Sequence, residues 1–332
     1  MIKKTRIAIN GFGRIGRTLG RLLVHDPSID WVAVNDLHSC DALMHLFKYD
    51  SIHGVFKGAI EKKDDRVNIS EQTINFYQEN DPSNLPWQEL DIDIVIEASG
   101  VFKDRNSLQK HIDAGAKKVI LAVPPIDDDI KTIVLGINES ILDGSEKILS
   151  NASCTTNSAA PIIKIIDDLC GIESCYITTV HSYTMDQKVH DTPHNDYRRA
   201  RAASQSIIPT TTGAAKALTK IFPKLDGLIG GCGIRVPVPD GSLTDITFIV
   251  KETKTIAEIN KAFLTASQNE LKGILEYTED PIVSVDVIDN PHSCVFDSQL
   301  TSVIGKMVKV VGWYDNESGY SNRLLDLIRM IS

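Results

Sequence analysis

Short apolar runs alternate with helical patterns through the first half of the chain. Residues 6–10 form an apolar run, leucines at helical spacing follow up to Leu23, and a second apolar run covers residues 31–34. This strand–helix–strand succession has the length of a parallel crossover unit. The pattern continues with apolar runs at 92–98, 119–123 and 132–135 and with a helical segment at 107–114. The alternation predicts an α/β fold with a doubly wound parallel sheet.

The second half has longer, partly alternating strand candidates, which lie at residues 175–181, 228–236, 243–251, 282–287 and 308–314. They predict a second, α+β domain on a mostly antiparallel sheet. Residues 183–206 are rich in arginine, histidine and aspartate and lack apolar periodicity. So long an irregular segment is more often functional than idle. Residues 320–331 predict a terminal helix, and the polar stretch 61–81 predicts a peripheral hairpin or loop.

A glycine-rich turn follows the first predicted strand. Gly11, Gly13 and Gly16 stand between that strand and the helix, and Asp36 ends the second strand. In a dinucleotide-binding turn, glycines permit the tight bend and the close approach of the backbone to a pyrophosphate, which the helix N-terminus then binds. An acidic residue at the end of the second strand accepts hydrogen bonds from the ribose hydroxyls of NAD and repels a 2′-phosphate. The combination predicts an NAD site.

A single thiol lies among small polar residues in the run SNASCTTN at 150–157. The apolar spacing of residues 159–166 predicts a buried helix that starts there, with Ser153 among the possible N-caps. Because amides and the helix dipole favour an anion at a helix N-terminus, we expect Cys154 to be a nucleophile with a favoured thiolate. His181, at the end of a predicted strand, is the candidate base.

Composition narrows the function classes. The formal net charge of −9 argues against a general nucleic-acid binder, whose surface would be basic. The apolar runs are shorter than the roughly 18 residues that a bilayer span requires, and the chain start does not resemble a secretory leader. We therefore expect a cytoplasmic protein with no membrane partner. The six cysteines form no CxxC pair, so we expect neither a disulfide framework nor a metal site.

Several further motifs agree with the cysteine run in order and spacing. They are HSYT at 181–184, RRARAA at 198–203, SIIPTTTGAAK at 206–216, RVP at 235–237 and WYDNE at 313–317. Together with SNASCTTN, they make the chain resemble the phosphorylating glyceraldehyde-3-phosphate dehydrogenase family over nearly its whole length. The chain departs from the usual family pattern at Ser158, where many members have a second cysteine, and at Thr192 and Ser318 near the expected cofactor.

The resemblance implies a set of site residues. Catalysis is assigned to Cys154 and His181. Substrate and phosphate binding is assigned to Ser153, Thr155, Thr184, Arg199, Thr212, Gly213 and Arg235. NAD binding is assigned to Asn10, Gly11, Phe12, Gly13, Arg14, Ile15, Gly16, Asp36, Ser99, Gly100, Pro193, Asn316 and Tyr320. It also implies an NAD-binding domain over residues 1–152, joined by a helix at 318–332, and a catalytic domain over 153–317.

The implied activity is the NAD-dependent conversion of D-glyceraldehyde 3-phosphate and phosphate to 1,3-bisphosphoglycerate through a cysteine thioester, in a homotetramer. Erythrose-4-phosphate dehydrogenase shares the cysteine motif and is the nearest alternative, and ASQS at 203–206 resembles that group. An alternative of another class is a non-catalytic RNA-binding or scaffold protein, which the acidic balance and the complete catalytic set disfavour.

Overall fold

The computed structural model describes residues 3–63 and 66–332, which fall into two units. The first unit runs to Ile133, resumes at Glu139–Ala152 and ends with Ser321–Ser332. The second unit consists of Val134–Asn138 and Ser153–Tyr320. Within the described ranges, no helix is both long enough and apolar enough to cross a bilayer.

The first unit is built on a mainly parallel sheet. Its strands are β1 (Thr5–Asn10), β2 (Ile29–Asn35), β3 (Tyr49–Asp50), β4 (Gly54–Val55), β5 (Ile60–Lys63), β6 (Arg66–Ile69), β7 (Gln72–Tyr77), β8 (Ile94–Glu97), β9 (Lys118–Leu121), β10 (Lys131–Thr132) and β11 (Ile148–Ser150). Its helices are α1 (Arg14–Leu23), α2 (Cys40–Lys48) and α3 (Arg105–Asp113). The strand order is β10-β11-β9-β8-β1-β2-β7-β6-β5, parallel from β10 to β7. The predicted doubly wound parallel sheet is confirmed.

The strand order reverses at β1, which has β2 on one side and β8 on the other. In sheets of this kind the crevice at the carboxyl ends of such strands is where ligands bind. Ile7, Ala8 and Ile9 of β1 are fully buried, because both faces of a parallel sheet are covered and the strand must be apolar throughout. The crevice therefore lies at the end of a strand whose last four residues are all buried.

The polar stretch at 61–81 contributes to an antiparallel extension of this sheet. Strand β5 pairs with β6, and β6 pairs with β7, both antiparallel. Residues 64 and 65 of the stretch lie outside the described residues. The predicted run at 132–135 is strand only at Lys131–Thr132, which is shorter than expected.

The second unit contains three helices, among the residues that the structure describes, around a mixed sheet. Its elements are α4 (Cys154–Cys170), β12 (Ile172–Ser182), β13 (Ile208–Thr210), α5 (Ala214–Ile221), β14 (Ile229–Val236), β15 (Ser242–Val250), α6 (Ile256–Gln268), β16 (Leu275–Thr278), β17 (Cys294–Asp297), β18 (Ser302–Ile304) and β19 (Met307–Tyr314). The order is β13-β14-β12-β15-β19-β17-β16, with β18 on β19. Only β12–β14 and β16–β17 are parallel among the described pairs. The predicted mostly antiparallel sheet is confirmed.

The strand predicted at 282–287 is wrong. Ser284–Val287 forms a turn of 3-10 helix, and the Asp286 carboxylate accepts a hydrogen bond of 2.7 Å from the Val283 amide. Val283 and Val285 remain 55% and 63% exposed, so the apolar alternation does not mark a buried strand face. A short acidic side chain that bonds nearby amides favours a turn over a strand ladder at this place.

The carboxyl-terminal helix α7 (Ser318–Ile331) contributes its residues from Ser321 onward to the first unit. Lys118 Nζ donates to the Ile331 carbonyl at 2.6 Å, and Arg329 forms an ion pair of 2.7 Å with Asp26. These contacts fasten the end of the chain to the parallel sheet. The terminal helix predicted over 320–331 is confirmed.

Candidate active site

The thiol of Cys154 lies at the first residue of helix α4. Ser153 is the N-cap of this helix: its hydroxyl accepts a hydrogen bond of 3.2 Å from the Thr156 amide and contacts the Thr156 hydroxyl at 2.7 Å. Such capping fixes where the helix begins, and it therefore fixes the direction of the cysteine side chain. The helix start predicted from the SNASCTTN run is confirmed.

His181 lies near the end of β12, with its imidazole against the thiol. The distance from Cys154 Sγ to His181 Nε2 is 3.4 Å. On the other side of the ring, Nδ1 lies 2.8 Å from the Ser182 carbonyl. In the tautomer that donates from Nδ1 to this carbonyl, Nε2 has a free lone pair directed at the thiol. The ring is therefore oriented to take a proton from sulfur.

Arg235 stands beside this histidine because the two residues are register partners in the parallel pair β12–β14. Its Nη1 donates to the Ser182 carbonyl at 2.9 Å and lies directly against His181 Nδ1. A cationic guanidinium next to the imidazole disfavours a second positive charge on the ring. The register of the β12–β14 pair therefore places a positive charge beside the candidate base, His181.

Burial holds the resting pair neutral. It raises the pKa of the Cys154 thiol, while the charge of Arg235 and the Thr155 amide oppose the rise. Burial, together with the charge of Arg235, lowers the pKa of His181 to about 3. The expected thiolate preference at the helix N-terminus is therefore outweighed by desolvation. A neutral imidazole is, however, the form that can act as a base.

The buried phenol of Tyr314 contacts the first turn of helix α4. The Tyr314 hydroxyl lies 3.0 Å from Thr155 Oγ1 and 2.9 Å from Thr179 Oγ1, so it links α4 to β12. Its ring packs edge-on against the His181 ring, with centroids 6.0 Å apart. Burial raises the pKa of Tyr314, so the phenol stays protonated and remains a donor. The link fixes the elements that hold the thiol and the base.

Arg235 lies near enough to the thiol to act on its pKa, and Arg199 lies near enough to act on the pKa of Arg235. Burial lowers the pKa of Arg235, and the charge of Arg199 adds to this effect. Arg199 donates from Nε to Thr210 Oγ1 at 2.8 Å and is paired with Asp186. Cations that repel one another favour a multiply charged anion between or beside them. The pair is suited to phosphate groups.

The remaining predicted anion residues lie at two chain turns. Thr212 precedes α5, where its hydroxyl accepts a 3.2 Å hydrogen bond from the Ala214 amide, and Gly213 is the N-cap. A Cβ built at Gly213 would point into open space. Thr184 follows β12, and its amide donates to Gln187 Oε1 at 3.3 Å. Their roles in phosphate binding remain predictions.

Asn316 has a fixed side-chain orientation. Its Oδ1 accepts hydrogen bonds from Ser182 Oγ at 2.8 Å and from Ser242 Oγ at 2.7 Å. Because both hydroxyls donate to oxygen, the amide nitrogen points the other way, where it can donate to a ligand. Pro193 is exposed in the irregular segment 183–206, and Tyr320 is buried on α7. Contacts of these three residues with a cofactor remain predictions.

The glycine turn of the first unit fits a dinucleotide. Gly11 has φ +92°, and a Cβ there would come 2.4 Å from the backbone of Ser99. A Cβ at Gly16 would come 2.3 Å from the Gly11 carbonyl, so helix α1 packs on the turn only without a side chain. Gly13, the N-cap of α1, faces open space. That space is where a pyrophosphate meets the helix N-terminus.

The side chains of the other residues in the predicted NAD set differ in what they contact. The Phe12 ring is buried and stacks on Phe47 at 5.8 Å, while its amide and carbonyl are bonded to Asp36 and Arg17. Arg14 forms a 2.6 Å ion pair with Asp50, which lies within the same unit. Ile15 is half-buried. Sequence reasoning did not separate backbone roles from side-chain roles within this run.

Asp36 is held at the edge of the turn. Its Oδ2 accepts a 2.8 Å hydrogen bond from the Phe12 amide, and its Oδ1 accepts from the amide and the imidazole of His38 at 3.0 and 2.8 Å. Burial alone would raise the pKa of Asp36, but these donors outweigh it and lower the pKa. The group is a fixed carboxylate, as ribose recognition requires.

Comparison with known proteins decides the family. The NAD-binding domain model of glyceraldehyde 3-phosphate dehydrogenase matches residues 5–105, and the C-terminal domain model matches residues 153–316. Glyceraldehyde-3-phosphate dehydrogenase 2 of Streptomyces avermitilis is 50% identical over 325 residues, which cover 97% of each chain. Glyceraldehyde-3-phosphate dehydrogenase 2 of Bacillus subtilis is 48% identical over 331 residues, 99% of this chain and 97% of that protein. The chain belongs to the glyceraldehyde-3-phosphate dehydrogenase family. It is an oxidoreductase of that family, and NAD is its cofactor.

Some residues of this glyceraldehyde-3-phosphate dehydrogenase family site escaped sequence reasoning. Tyr314 lay inside a quoted motif, but nothing in the sequence indicated that its hydroxyl reaches Thr155 and Thr179. Ser182 was adjacent to the predicted base and offered a signal that could have been used. Ser242 offered none, because its contact with Asn316 depends on the antiparallel pairing of β15 with β19, in which Ser242 is the register partner of Tyr314.

Proposed function

We propose that this chain oxidises D-glyceraldehyde 3-phosphate with NAD and inorganic phosphate, giving 1,3-bisphosphoglycerate and NADH. The observation that supports this most strongly is the 3.4 Å contact between Cys154 Sγ and His181 Nε2 beside two arginines. A thiol with an adjacent base is the arrangement for covalent attack on a carbonyl carbon. The two guanidiniums supply positive charge for the phosphate group of the aldehyde and for the inorganic phosphate that accepts the acyl group.

In the proposed first step, His181 takes the thiol proton as Cys154 attacks the aldehyde carbon and then gives that proton to the new alkoxide, so that a neutral hemithioacetal forms. Burial is the larger cause of the lowered pKa of His181 and the charge of Arg235 the smaller one; a phosphate dianion beside Arg235 would offset the second and make the imidazole a better base. NAD, when bound, would supply the acceptor for the hydride of the same carbon. His181 then takes the hydroxyl proton, and a thioester remains on sulfur. Attack by inorganic phosphate on the thioester carbon releases the acyl phosphate, and the departing thiolate takes back the proton that His181 holds.

In this proposal, Arg235 and Thr184 bind the phosphate group of the substrate. Thr212 and Gly213 bind the inorganic phosphate that attacks the thioester. Ser153 and Thr155 flank the nucleophile and supply further donors to the attacking phosphate. Arg199 lies beside Arg235 and contributes a second positive charge for the substrate phosphate. Asn316, with its oxygen held by two serine hydroxyls, directs an amide nitrogen toward the nicotinamide carboxamide.

The substrate is tested by comparing two aldehydes. NADH formation with glyceraldehyde 3-phosphate is expected to exceed that with erythrose 4-phosphate by at least tenfold in kcat/KM. An added carbon between aldehyde and phosphate would displace one of the two groups from its site, which costs binding in the transition state. Faster oxidation of erythrose 4-phosphate would transfer the assignment to erythrose-4-phosphate dehydrogenase. Tight RNA binding by a chain inactive on both aldehydes would support the non-catalytic alternative.

Asp36 is proposed to set the cofactor preference. Asp36→Asn keeps the shape but removes the negative charge that a 2′-phosphate would face, so the preference for NAD over NADP is expected to narrow by about tenfold or more. The ratio of kcat/KM for the two cofactors measures this. Asp50→Asn, at the ion pair with Arg14, is the matched control and is expected to leave the ratio within about twofold. A parent enzyme that used both cofactors equally would contradict the proposed role.

We further propose a cytoplasmic homotetramer. The segment 183–206 has several exposed apolar side chains, among them Met185, Val189 and Tyr197, which are 79%, 73% and 87% exposed. Exposed apolar residues grouped on one segment indicate a protein contact. The mass from light scattering is expected to be four times that of the chain at micromolar concentration, and a monomer mass would contradict the proposal.

A further inference from the structure

A line of buried polar side chains crosses the carboxyl ends of three neighbouring strands in the first unit. Asn35, Asn10 and Glu97 end β2, β1 and β8, and each is the register partner of the next. Asn35 Nδ2 donates to Asn10 Oδ1 at 2.7 Å, and Asn10 Nδ2 donates to Glu97 Oε2 at 2.5 Å. The three side chains are at most 4% exposed. Burial of this much polarity is unfavourable unless every group is satisfied.

The Glu97 carboxylate is the centre of this line. His111 Nε2 lies 3.1 Å from Oε2, and the amide and hydroxyl of Ser99 donate to Oε1 at 2.8 and 2.5 Å. Trp87 Nε1 lies 3.0 Å from His111 Nδ1. An indole N–H can only donate, so His111 Nδ1 must accept and the proton of the neutral ring is on Nε2. Four donors therefore converge on Glu97, which is a fully satisfied carboxylate.

Asn10 and His111 cannot turn an acceptor toward Glu97, because Asn35 and Trp87 at the two ends of the line fix their orientation. Asn35 is locked by the Glu79 backbone, whose amide donates to Oδ1 at 2.8 Å and whose carbonyl accepts from Nδ2 at 2.9 Å. This orientation fixes Asn10, whose oxygen must face Asn35. Trp87 fixes the tautomer of His111 in the same way at the other end. Glu97 thus faces N–H groups that have no alternative orientation.

The same carboxylate joins the two loops that form the ligand crevice. Asn10 directly precedes the glycine turn, and Ser99 is the residue whose backbone a Cβ at Gly11 would strike. The Asn10 carbonyl also accepts a 2.8 Å hydrogen bond from the Ala98 amide. The distance between the glycine turn and the loop after β8 is thus set by contacts that end at Glu97.

We propose that Glu97 is a positioning residue for NAD: it holds Asn10 and Ser99 at the spacing that lets the glycine turn bind the pyrophosphate. It touches neither the cofactor nor the substrate in this role. The inference rests on the proposed placement of the pyrophosphate at Gly13. It assigns a task to a buried carboxylate that the reaction itself does not use.

Glu97→Gln tests the proposal without a change of volume. The glutamine NH₂ must face at least one fixed donor, so Asn10 or Ser99 has to move. In the nucleotide-free full-length protein, the Kd for ADP-ribose measured by calorimetry is expected to rise about tenfold, and the Kd for adenosine to stay within twofold. KM for NAD is expected to rise in parallel, with kcat and the KM for the aldehyde within threefold. An unchanged Kd for ADP-ribose in the folded variant would overturn the proposal.

Two control variants separate this effect from the alternatives. Trp87→Phe disturbs the far end of the same line and is expected to lower the melting temperature while the Kd for ADP-ribose stays within twofold. Equal losses of ADP-ribose affinity in Trp87→Phe and Glu97→Gln would show a structural role only. Gly13→Ala introduces a methyl group where the pyrophosphate is placed and is expected to weaken ADP-ribose binding strongly. If Gly13→Ala has no effect, the placement itself fails; if Gly13→Ala weakens binding and Glu97→Gln does not, only the role of Glu97 fails.

Discussion

Cys154→Ser is expected to reduce NADH formation by roughly 10⁴-fold or more, because a serine hydroxyl beside a neutral imidazole is a far weaker nucleophile than a thiol. The volume and the helix start are preserved, since Ser153 remains the N-cap. The Kd for NAD, measured by calorimetry, is expected to stay within about threefold of the parent value. Steady-state turnover above a few per cent of the parent rate would remove Cys154 from the mechanism.

Cys40 provides a matched control. It too is the first residue of a helix, and the Ser39 N-cap accepts a hydrogen bond from the Ala42 amide. What Cys154 has in addition is the contact with His181 at 3.4 Å. Cys40→Ser is therefore expected to keep kcat within about twofold. A comparable loss in both variants would mean that the activity depends on thiols in general and not on the thiol–imidazole pair.

The sequence pattern was sufficient to predict those features that short-range interactions determine. The glycine turn between β1 and α1, Asp36 at the end of β2 and the Ser153 cap before Cys154 each depend on a few neighbouring residues. Steric limits on glycine and the capping preference of serine act within one turn of chain. These features could therefore be predicted from sequence without knowledge of the tertiary structure.

The remaining features depend on strand register and burial. Arg235 lies against His181 only because β14 pairs in parallel with β12, and no local signal gives that register. The thiol was expected to ionise readily from its helix position, but the structure shows burial raising its pKa. Desolvation is set by what packs around the group, which sequence does not reveal. The line from Asn35 to Glu97 was invisible for the same reason, since each member ends a different strand.

Phosphate dependence is expected to produce the second large effect. In phosphate-free buffer, the parent enzyme should release at most one NADH per active site in a burst and then slow by roughly 10²-fold or more. The thioester on Cys154 then has no acceptor other than water, which lacks the bound and oriented position that the site gives to phosphate. Rapid-mixing absorbance of NADH measures both phases. Arsenate, which has the charge and shape of phosphate, is expected to restore steady turnover.

Two variants assign the anion positions within this experiment. Thr212→Ala is expected to raise the phosphate concentration needed for half-maximal turnover while leaving the burst amplitude intact, because thioester formation precedes phosphate attack. Arg235→Leu is expected to reduce the burst itself, since the aldehyde loses the cation that binds its phosphate. Sustained turnover without phosphate at the full rate would mean that water is the normal acceptor, and the acyl-phosphate mechanism would then be wrong.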